Sequence, residues 1–285
     1  FDLGQPDQAR EPLERAIDFA RRESLNEGRL ARHIDRIRFK LAIAHAATGR
    51  EREATQTMAE ASSTTLLGID QQYRELAKGA IALAKNDFKG GESIAKIILS
   101  IDPDRASRDD LELGFLAARL FYRAPDMPAE LVEKVIRRHT RWAESIGRLA
   151  EDRSLLEYLR PHYDSIMEAA VSLTDFPPAE IAHIALEATT PRSSTVEKDS
   201  LIFYFEKDHG WAMDIDAQGS AVVVPLSIGS DAIATARDND QEKSELAQRI
   251  PEPIRQRAKS LPPEKIRIAD PVLDLTTSDA EFLTH

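Results

Sequence analysis

The sequence predicts a mainly α-helical protein, in which stacked helix pairs over about residues 1–190 precede a small α/β part that opens with an antiparallel β-meander. The first observation is a repeat, because glycine, alanine, a large apolar residue and alanine recur at spacings of five, four and three residues. The pattern occupies Gly4, Ala9, Leu13 and Ala16, and then Gly49, Ala54, Met58 and Ala61. The second observation is a change of period after residue 198, where short β-branched, aromatic or alternating segments replace the helical stripe.

The composition excludes several classes of function. Asp and Glu number 49 against 38 Lys and Arg, which gives a net charge of -11 at pH 7. A protein that tracks a nucleic-acid backbone needs clustered cations, so we expect no nucleic-acid partner. The absence of cysteine excludes disulfides, thiolate metal ligands and a thiol nucleophile within this chain. No apolar run approaches the ~20 residues that span a bilayer, so we expect no membrane partner.

The cellular location follows by default. No signal peptide is visible, so we expect a cytoplasmic protein. The chain opens on Phe1 in the middle of a repeat, and we therefore expect that an earlier start, with any signal on it, has been lost.

The first helices follow from the repeat pattern. Residues 1–25 supply the second helix of a pair, and Pro12 should bend or restart that helix because it removes a hydrogen bond. The next pair runs from about Arg29 to Thr48 and from Glu51 to about Ser63, with Gly49 in the turn between them.

Two more pairs follow along the chain. The third starts near Ile69, turns at residues 86–88 and closes at Asp102-Pro103, since proline favours the position just past a helix. The fourth runs from Leu111 to Tyr122 and from about Ala129 to Ile146. A further helical stretch covers about residues 152–173 with an interruption at Pro161, and a short helix runs from Pro178 to Glu187.

A linker and a set of strands complete the chain. Residues 188–198 have the composition of a linker. Short apolar segments separated by turns then predict a meander, with strands at Leu201–Phe205, Trp211–Ile215 and Ala221–Pro225. Residues 229–260 favour helix broken at Pro251 and Pro253, a short strand is expected at Ile266–Ile268, and the tail from Asp270 has weak periodicity.

The glycine–alanine pattern resembles tetratricopeptide repeats. The resemblance covers about Gly4 to Ala129, and Leu113-Gly114 matches one more family position, while Gly91 stands where the family usually has alanine. It implies a curved α-α superhelix whose concave face holds a peptide or a partner protein.

The resemblance also nominates residues for that groove, because the first helix of each pair usually lines the concave side. The polar residues on those helices are Arg38, His45, Arg74, Lys78 and Arg119. For any one of them, ordinary exposed surface is the simpler explanation.

The segment after the repeats carries a second resemblance. Residues 153–161, the aromatic strand Leu201-Ile-Phe-Tyr-Phe-Glu206 and the strand Val222-Val-Val-Pro-Leu226 look like the opening of a CHAT domain. CHAT domains are caspase-like peptidases and often follow tetratricopeptide repeats. The resemblance implies a catalytic histidine and cysteine downstream of this chain, so no catalytic residue is assigned within it.

Other chemistry-bearing residues favour structural roles. His209 in a hairpin turn is expected to be a solvated turn residue rather than a catalytic base. Five other histidines lie on predicted helices without the close spacing of a zinc site, so no metal or cofactor is expected; they are His33, His45, His139, His162 and His183. Lys89-Gly90-Gly91-Glu92 lacks the Lys-Ser/Thr of a phosphate loop, and a polar outer strand face explains Asp214 and Asp216.

We therefore expect three parts: helical repeats over residues 1–150, further helices and a linker over 151–190, and an incomplete CHAT-like portion over 199–285. The function that we favour is a protein-binding scaffold joined to the start of a cysteine peptidase. A non-enzymatic adaptor with a small β docking module is the alternative, and a signalling regulator with an unrelated output domain is a third.

Overall fold

A computed structural model of the protein describes residues 6–23, 28–61, 68–147, 153–188, 195–236 and 239–269. Contacts divide the chain into two compact units, Phe1–Trp142 and Ala143–His285. The predicted turn at Gly4, most of the predicted linker and the tail from Asp270 lie outside the described residues.

The first unit is built from helices that pack on one another along the chain. Neighbouring helices pack together, and α2 also packs on α4 and α4 on α6. The described helices are α1 (Pro6–Glu23), α2 (Gly28–Ala47), α3 (Glu51–Ala59), α4 (Ile69–Ala84), α5 (Lys89–Ser100), α6 (Arg108–Phe121) and α7 (Ala129–Gly147), the last of which continues into the second unit. The prediction of helix pairs is therefore confirmed for α2 to α7.

Helices α2 and α4 end in the same way. Gly49 and Asn86, 37 residues apart, both have positive φ angles, 74° and 59°. After each of them, a backbone N–H reaches back five residues, from Arg50 to the His45 carbonyl and from Asp87 to the Ala82 carbonyl, at 2.9 Å in both cases. This is the Schellman arrangement, in which a residue in the left-handed region satisfies the last helix carbonyls.

Small residues let α4 and α5 pack closely. A Cβ on Gly90 would lie 2.6 Å from the Gly79 carbonyl oxygen and 2.9 Å from the Leu83 nitrogen. A Cβ on Gly91 would instead meet the sulfur of Met127 at 2.6 Å. Gly90 therefore lets α4 and α5 approach closely, and Gly91 leaves room for the Met127 side chain.

Aromatic side chains join α6 and α7. Trp142 is fully buried and its ring lies edge-on to Phe115 at 6.1 Å between centroids. A Cβ on Gly114 would lie 2.7 Å from the Trp142 ring, so a glycine at this position allows the indole to reach the α6 backbone. His139 lies in the same cluster and contacts the Tyr122 hydroxyl at 3.2 Å.

The expected restart of a helix at Pro12 and the expected interruption at Pro161 are wrong. Helix α1 continues through Pro12 without restarting, and α8 (Arg153–Ser172) continues through Pro161. In α8 the residues around the proline, Leu159, His162 and Tyr163, are buried. Packing of both adjoining turns outweighs the cost of about 3 kcal/mol that an interior proline imposes on a helix.

The second unit adds a sheet flanked by helices. Its remaining elements are α9 (Pro178–Glu187), β1 (Ser200–Phe205), β2 (Gly210–Ile215), β3 (Ala221–Leu226), α10 (Ser230–Ala236), α11 (Asp240–Arg249), α12 (Glu252–Ser260), a 3-10 turn at Pro263–Lys265 and β4 (Ile266–Ala269). The strand order is β3-β2-β1-β4.

Pro251 is the N-cap of α12 and Pro253 lies in its first turn, so the predicted break near these prolines is confirmed.

The sheet is mixed, and this corrects the expectation of a purely antiparallel meander. β1, β2 and β3 form the antiparallel part, with Ser200 opposite Ile215 and Gly210 opposite Leu226. β4 pairs with β1 in parallel, with Leu201 opposite Ile266. A parallel neighbour requires a crossover connection, and α10, α11 and α12 lie in that connection. The small α/β part is therefore confirmed as α/β.

Strand β1 is buried on both faces. Leu201, Phe203 and Phe205 pack in one core with apolar residues of α10, α11 and α12. On the other face, the Tyr204 hydroxyl donates to Asp164 Oδ1 of α8 at 2.6 Å. Because a strand alternates its side chains, this burial explains why the sequence of β1 is continuously apolar.

Candidate binding site on the first helices

The helices α2, α4 and α6, each the first of its pair, are joined by charged side chains. Arg36 of α2 lies at the centre. Its Nε donates to Asp70 Oδ1 of α4 at 2.7 Å, and its Nη1 donates to Asp109 Oδ2 of α6 at 2.8 Å. One guanidinium therefore links three helices, which arginine can do because its donors are arranged in a planar fork.

A second cation lies one turn further along α2. Lys40 pairs with Glu112 of α6, and its ammonium lies 5.1 Å from the ring centroid of Tyr73. The guanidinium carbon of Arg36 lies 5.8 Å from the same centroid. Tyr73 of α4 is buried, so its ring lies beneath both cations in a cation–π arrangement. We call Arg36, Lys40, Asp70, Tyr73, Asp109 and Glu112 the first-helix network.

The side chains of the first-helix network remain charged because both cations are paired with carboxylates. Partial burial by itself lowers the pKa of the Arg36 guanidinium, but the hydrogen bonds and charges of Asp70 and Asp109 raise it on balance. The side chains of Arg36 and Asp70 are 21% and 13% exposed. Water therefore screens this pair less than it screens ordinary surface ion pairs, and the network helps to hold α2 against α4 and α6.

The predicted groove residue Arg38 lies on another side of α2. It is two residues from both Arg36 and Lys40, which corresponds to roughly 200° around a helix. Its Nη1 donates to Asp35 Oδ1 at 2.8 Å, and Asp35 is fully buried. Arg38 therefore balances an interior carboxylate.

The predicted groove residue His45 is buried at the end of α2. Burial lowers the pKa of its imidazole. Its carbonyl accepts the N–H groups of Thr48 and Arg50 at 3.2 and 2.9 Å, so the residue also takes part in the helix end described above.

The other three predicted groove residues lie nearer the surface. Arg74 is half-buried and Lys78 is exposed one turn further along α4, where its Nζ donates to Glu75 at 2.8 Å. Arg119 of α6 is half-buried, and its charge adds to the effect of burial in lowering the pKa of Arg123. That any of the five residues contacts a partner stays a prediction.

Sequence reasoning missed the first-helix network, although a signal for it exists. Arg36 and Lys40 are four residues apart on α2, and Asp109 and Glu112 are three residues apart on α6. Such spacings place each pair on one helix face. Two stripes of opposite charge on nearby first helices could have been interpreted as facing each other.

The aspartates of the strands have structural partners. Asp214 accepts a hydrogen bond from Arg257 Nε at 2.8 Å, which ties β2 to α12. Asp216 Oδ1 accepts the N–H groups of Gln218 and Ser220, both at 2.8 Å, and so closes the turn before β3. These contacts give both residues a role in folding.

Comparison of the chain with protein-family models, with curated proteins and with solved structures gives no significant match. Within the described ranges, no helix has the length and apolar character needed to cross a membrane.

Proposed function

We propose that the first unit is a protein-binding scaffold of the tetratricopeptide-repeat kind, and that it precedes the opening segment of a caspase-like CHAT domain. The observation that carries the proposal is the repeated geometry of the helix pairs. Helices α2 and α4 end in the same hydrogen-bond pattern 37 residues apart, and they pack against each other as the first helices of successive pairs. Stacked helix pairs that repeat along the chain are the construction of solenoid proteins, which use extended faces to bind partners.

The binding face that we propose is formed by α2, α4 and α6. The first-helix network fixes these three helices against one another, so a partner would meet a surface that is already organised. A preorganised surface loses little entropy on binding. The half-buried and exposed cations Arg74, Lys78 and Arg119 lie on the same helices and can pair with acidic or carbonyl groups of a peptide.

The order of elements in the second unit supports the CHAT part of the proposal. Helices α8 and α9 precede a three-stranded hairpin arrangement whose last strand ends in Pro225-Leu226. The next strand, β4, is parallel to β1 after a helical crossover. A meander that continues into parallel α/β structure suits the beginning of a larger α/β domain better than a complete small module.

The binding proposal is tested with charge variants in a matched design. The first variant carries Arg74→Ala, Lys78→Ala and Arg119→Ala, and the control carries Lys96→Ala, Lys134→Ala and Arg137→Ala on α5 and α7. Both lose three positive charges, and the control residues lie on the second helices of their pairs. Partners are captured with the wild-type chain, identified, purified and measured by calorimetry.

We expect the first variant to weaken binding of the purified partner at least tenfold, while the control binds like the wild type. Equal affinities for all three proteins would contradict a binding face on the first helices. Equal losses in both variants would show that net charge alone governs binding, and would also contradict it.

The peptidase proposal is tested by the coding sequence beyond His285. We expect it to encode a histidine followed by a cysteine within a continuing α/β domain, because a thiolate nucleophile needs a histidine nearby. The absence of cysteine within this chain favours a second candidate, a non-enzymatic adaptor. A stop codon shortly after His285 would contradict the peptidase and leave the adaptor.

A further inference from the structure

A buried carboxylate in the second unit has an oxygen without a hydrogen bond. Glu206 follows β1, and its side chain is only 10% exposed. Within the described part of the chain, its Oε1 has no hydrogen-bond partner. A buried carboxylate oxygen without a donor is costly, and in a native protein it often indicates a bound ion.

A histidine nitrogen already faces this carboxylate. His209 Nε2 lies 3.7 Å from Glu206 Oε2, and the other ring nitrogen, Nδ1, lies 2.7 Å from Asp208 Oδ1. Trp211 packs edge-on against the imidazole at 4.8 Å between ring centroids. A carboxylate that accepts a hydrogen bond from Nδ1–H favours the tautomer in which Nε2 has a free lone pair. Many histidine metal ligands are held by a carboxylate in this way.

Glu168 of α8 completes the cluster. One ligand atom from each of Glu168, Glu206 and His209 lies within 4.8 Å of the other two. Glu168 is exposed, so its side chain has the freedom to approach the two residues that the β1–β2 turn holds in place.

We propose that Glu168, Glu206 and His209 form a binding site for a divalent transition-metal cation, with Zn²⁺ as the ion that fits their donors best. Two carboxylates and one imidazole are common ligands of zinc, and three protein ligands leave a fourth position for water or another ligand. Imidazole makes Mg²⁺ or Ca²⁺ a poor fit, because both prefer oxygen ligands alone.

The distances fit this assignment. Zinc lies ~2.0–2.1 Å from histidine nitrogen and ~2.0–2.2 Å from carboxylate oxygen, so two tetrahedral ligands are roughly 3.3–3.5 Å apart. Glu206 Oε2 and His209 Nε2 need to approach each other by only a few tenths of an ångström from 3.7 Å. Rotation of the exposed Glu168 side chain supplies the larger adjustment.

The surrounding charge also favours a cation. Asp164 and Glu168 place negative charge beside Glu206, and Arg160 supplies an opposing positive charge. Arg160 itself is engaged, since it donates to the Phe205 carbonyl and its Nε lies 3.5 Å from Asp164. The negative charge around Glu206 therefore favours a cation over an anion at this position.

Sequence reasoning gave no metal site, because it looked for histidines at close spacing. Only one histidine takes part here, and Glu168 is far from Glu206 along the chain. The fold brings them together by packing α8 beside the end of β1, where the Tyr204 hydroxyl also bonds to Asp164. His209, which was expected to be a solvated turn residue, has a side chain that is 38% exposed.

The test uses the full chain without an affinity tag, treated with EDTA and then dialysed. Zn²⁺ binding is measured by competition with a chromophoric chelator and by the shift in thermal unfolding. The variants are His209→Ala, Glu206→Gln and Glu168→Gln, with His33→Ala as the control for loss of an exposed imidazole outside the cluster. Circular dichroism verifies that each variant is folded.

We expect one Zn²⁺ per chain with a dissociation constant in the micromolar range or tighter. His209→Ala and Glu206→Gln should weaken binding at least tenfold, Glu168→Gln should weaken it several-fold, and His33→Ala should leave it unchanged. If folded Glu206→Gln protein binds Zn²⁺ as the wild type does, or if the wild type shows no saturable binding, the site does not exist. A spectrum of the Co²⁺-loaded wild type that lacks four- or five-coordinate d–d bands would also overturn it.

Discussion

Gly49 and Asn86 show how single residues define the ends of α2 and α4. Both have positive φ, and a Cβ on Gly49 would meet no atom within 4 Å. The cost of replacing Gly49 is therefore a backbone cost alone. We predict that Gly49→Ala lowers the free energy of unfolding by about 1–2 kcal/mol, because an L-residue is disfavoured in the left-handed region. Urea unfolding, monitored by the helical circular dichroism signal, measures this change in the free energy of unfolding.

Asn86 supplies the matched comparison for this prediction. Asparagine tolerates the left-handed region better than most residues do. We therefore expect Asn86→Gly to keep or slightly raise stability, while Asn86→Ala lowers it by about 1 kcal/mol. Equal losses for the two substitutions would mean that the asparagine side chain, and not its backbone conformation, matters.

His45 gives a prediction about pH. Burial lowers the pKa of its imidazole in the folded protein below the value of ~6.5 that it has when unfolded. The unfolded chain therefore binds this proton first as the pH falls. Its contribution to stability is complete above ~6.5 and is lost as the pH falls from there through the lower folded pKa.

We expect His45→Gln to reduce the loss of stability between pH 7.5 and pH 5. The denaturant midpoints of the wild type and the variant are compared at both pH values, with His33→Gln as the control at an exposed position. If the wild type and the His45→Gln variant lose the same stability between pH 7.5 and pH 5, the buried imidazole does not contribute to the pH dependence.

At the scale of elements, the α4–α5 contact depends on which atoms a new side chain would meet. Gly90→Ala would drive its methyl group into the backbone of α4, whereas Gly91→Ala would meet the flexible end of Met127. We predict a loss of about 1–3 kcal/mol for Gly90→Ala and a clearly smaller loss for Gly91→Ala. Thermal unfolding of the two variants provides the comparison, and similar losses would show that the helices are not packed this closely.

The sequence was sufficient to locate most helices, because their ends carry local signals. Gly49 and Asn86 mark two of these ends. The capping box of Ser107 and Asp110 was missed, and α6 begins at Arg108, three residues before the predicted start at Leu111. Two features of the fold depended on tertiary packing and could not be predicted locally. Pro161 remains inside α8 because its neighbours are buried, and β4 is parallel to β1 because the α10–α12 crossover returns it beside that strand.

The contrast between local sequence signals and tertiary packing also applies to the candidate sites. Tyr73 lies on the buried face of α4, which a helical stripe of apolar residues indicates locally. The cations above it, Arg36 and Lys40, were missed because their partners lie on other helices: Asp70 of α4 is 34 positions from Arg36, and the partners on α6 are more than 70 positions away. Sequence patterns show which face of a helix a residue occupies, but they do not show which distant helix that face meets.

At the scale of the whole molecule, the central claim is that the faces of α2, α4 and α6 bind a partner protein. The absence of cysteine makes a direct measurement simple, because a single introduced cysteine takes a photo-crosslinker at one known position. Lys78→Cys places the crosslinker on α4, and Lys96→Cys places it on α5. Both lysines are exposed, so the labels differ in position but not in accessibility.

The labelled proteins are mixed with the purified partner, irradiated and analysed by mass spectrometry. The account predicts crosslinks to the partner from position 78 and few or none from position 96. Crosslinks mainly from position 96, or equal yields from both positions, would contradict a binding face on the first helices.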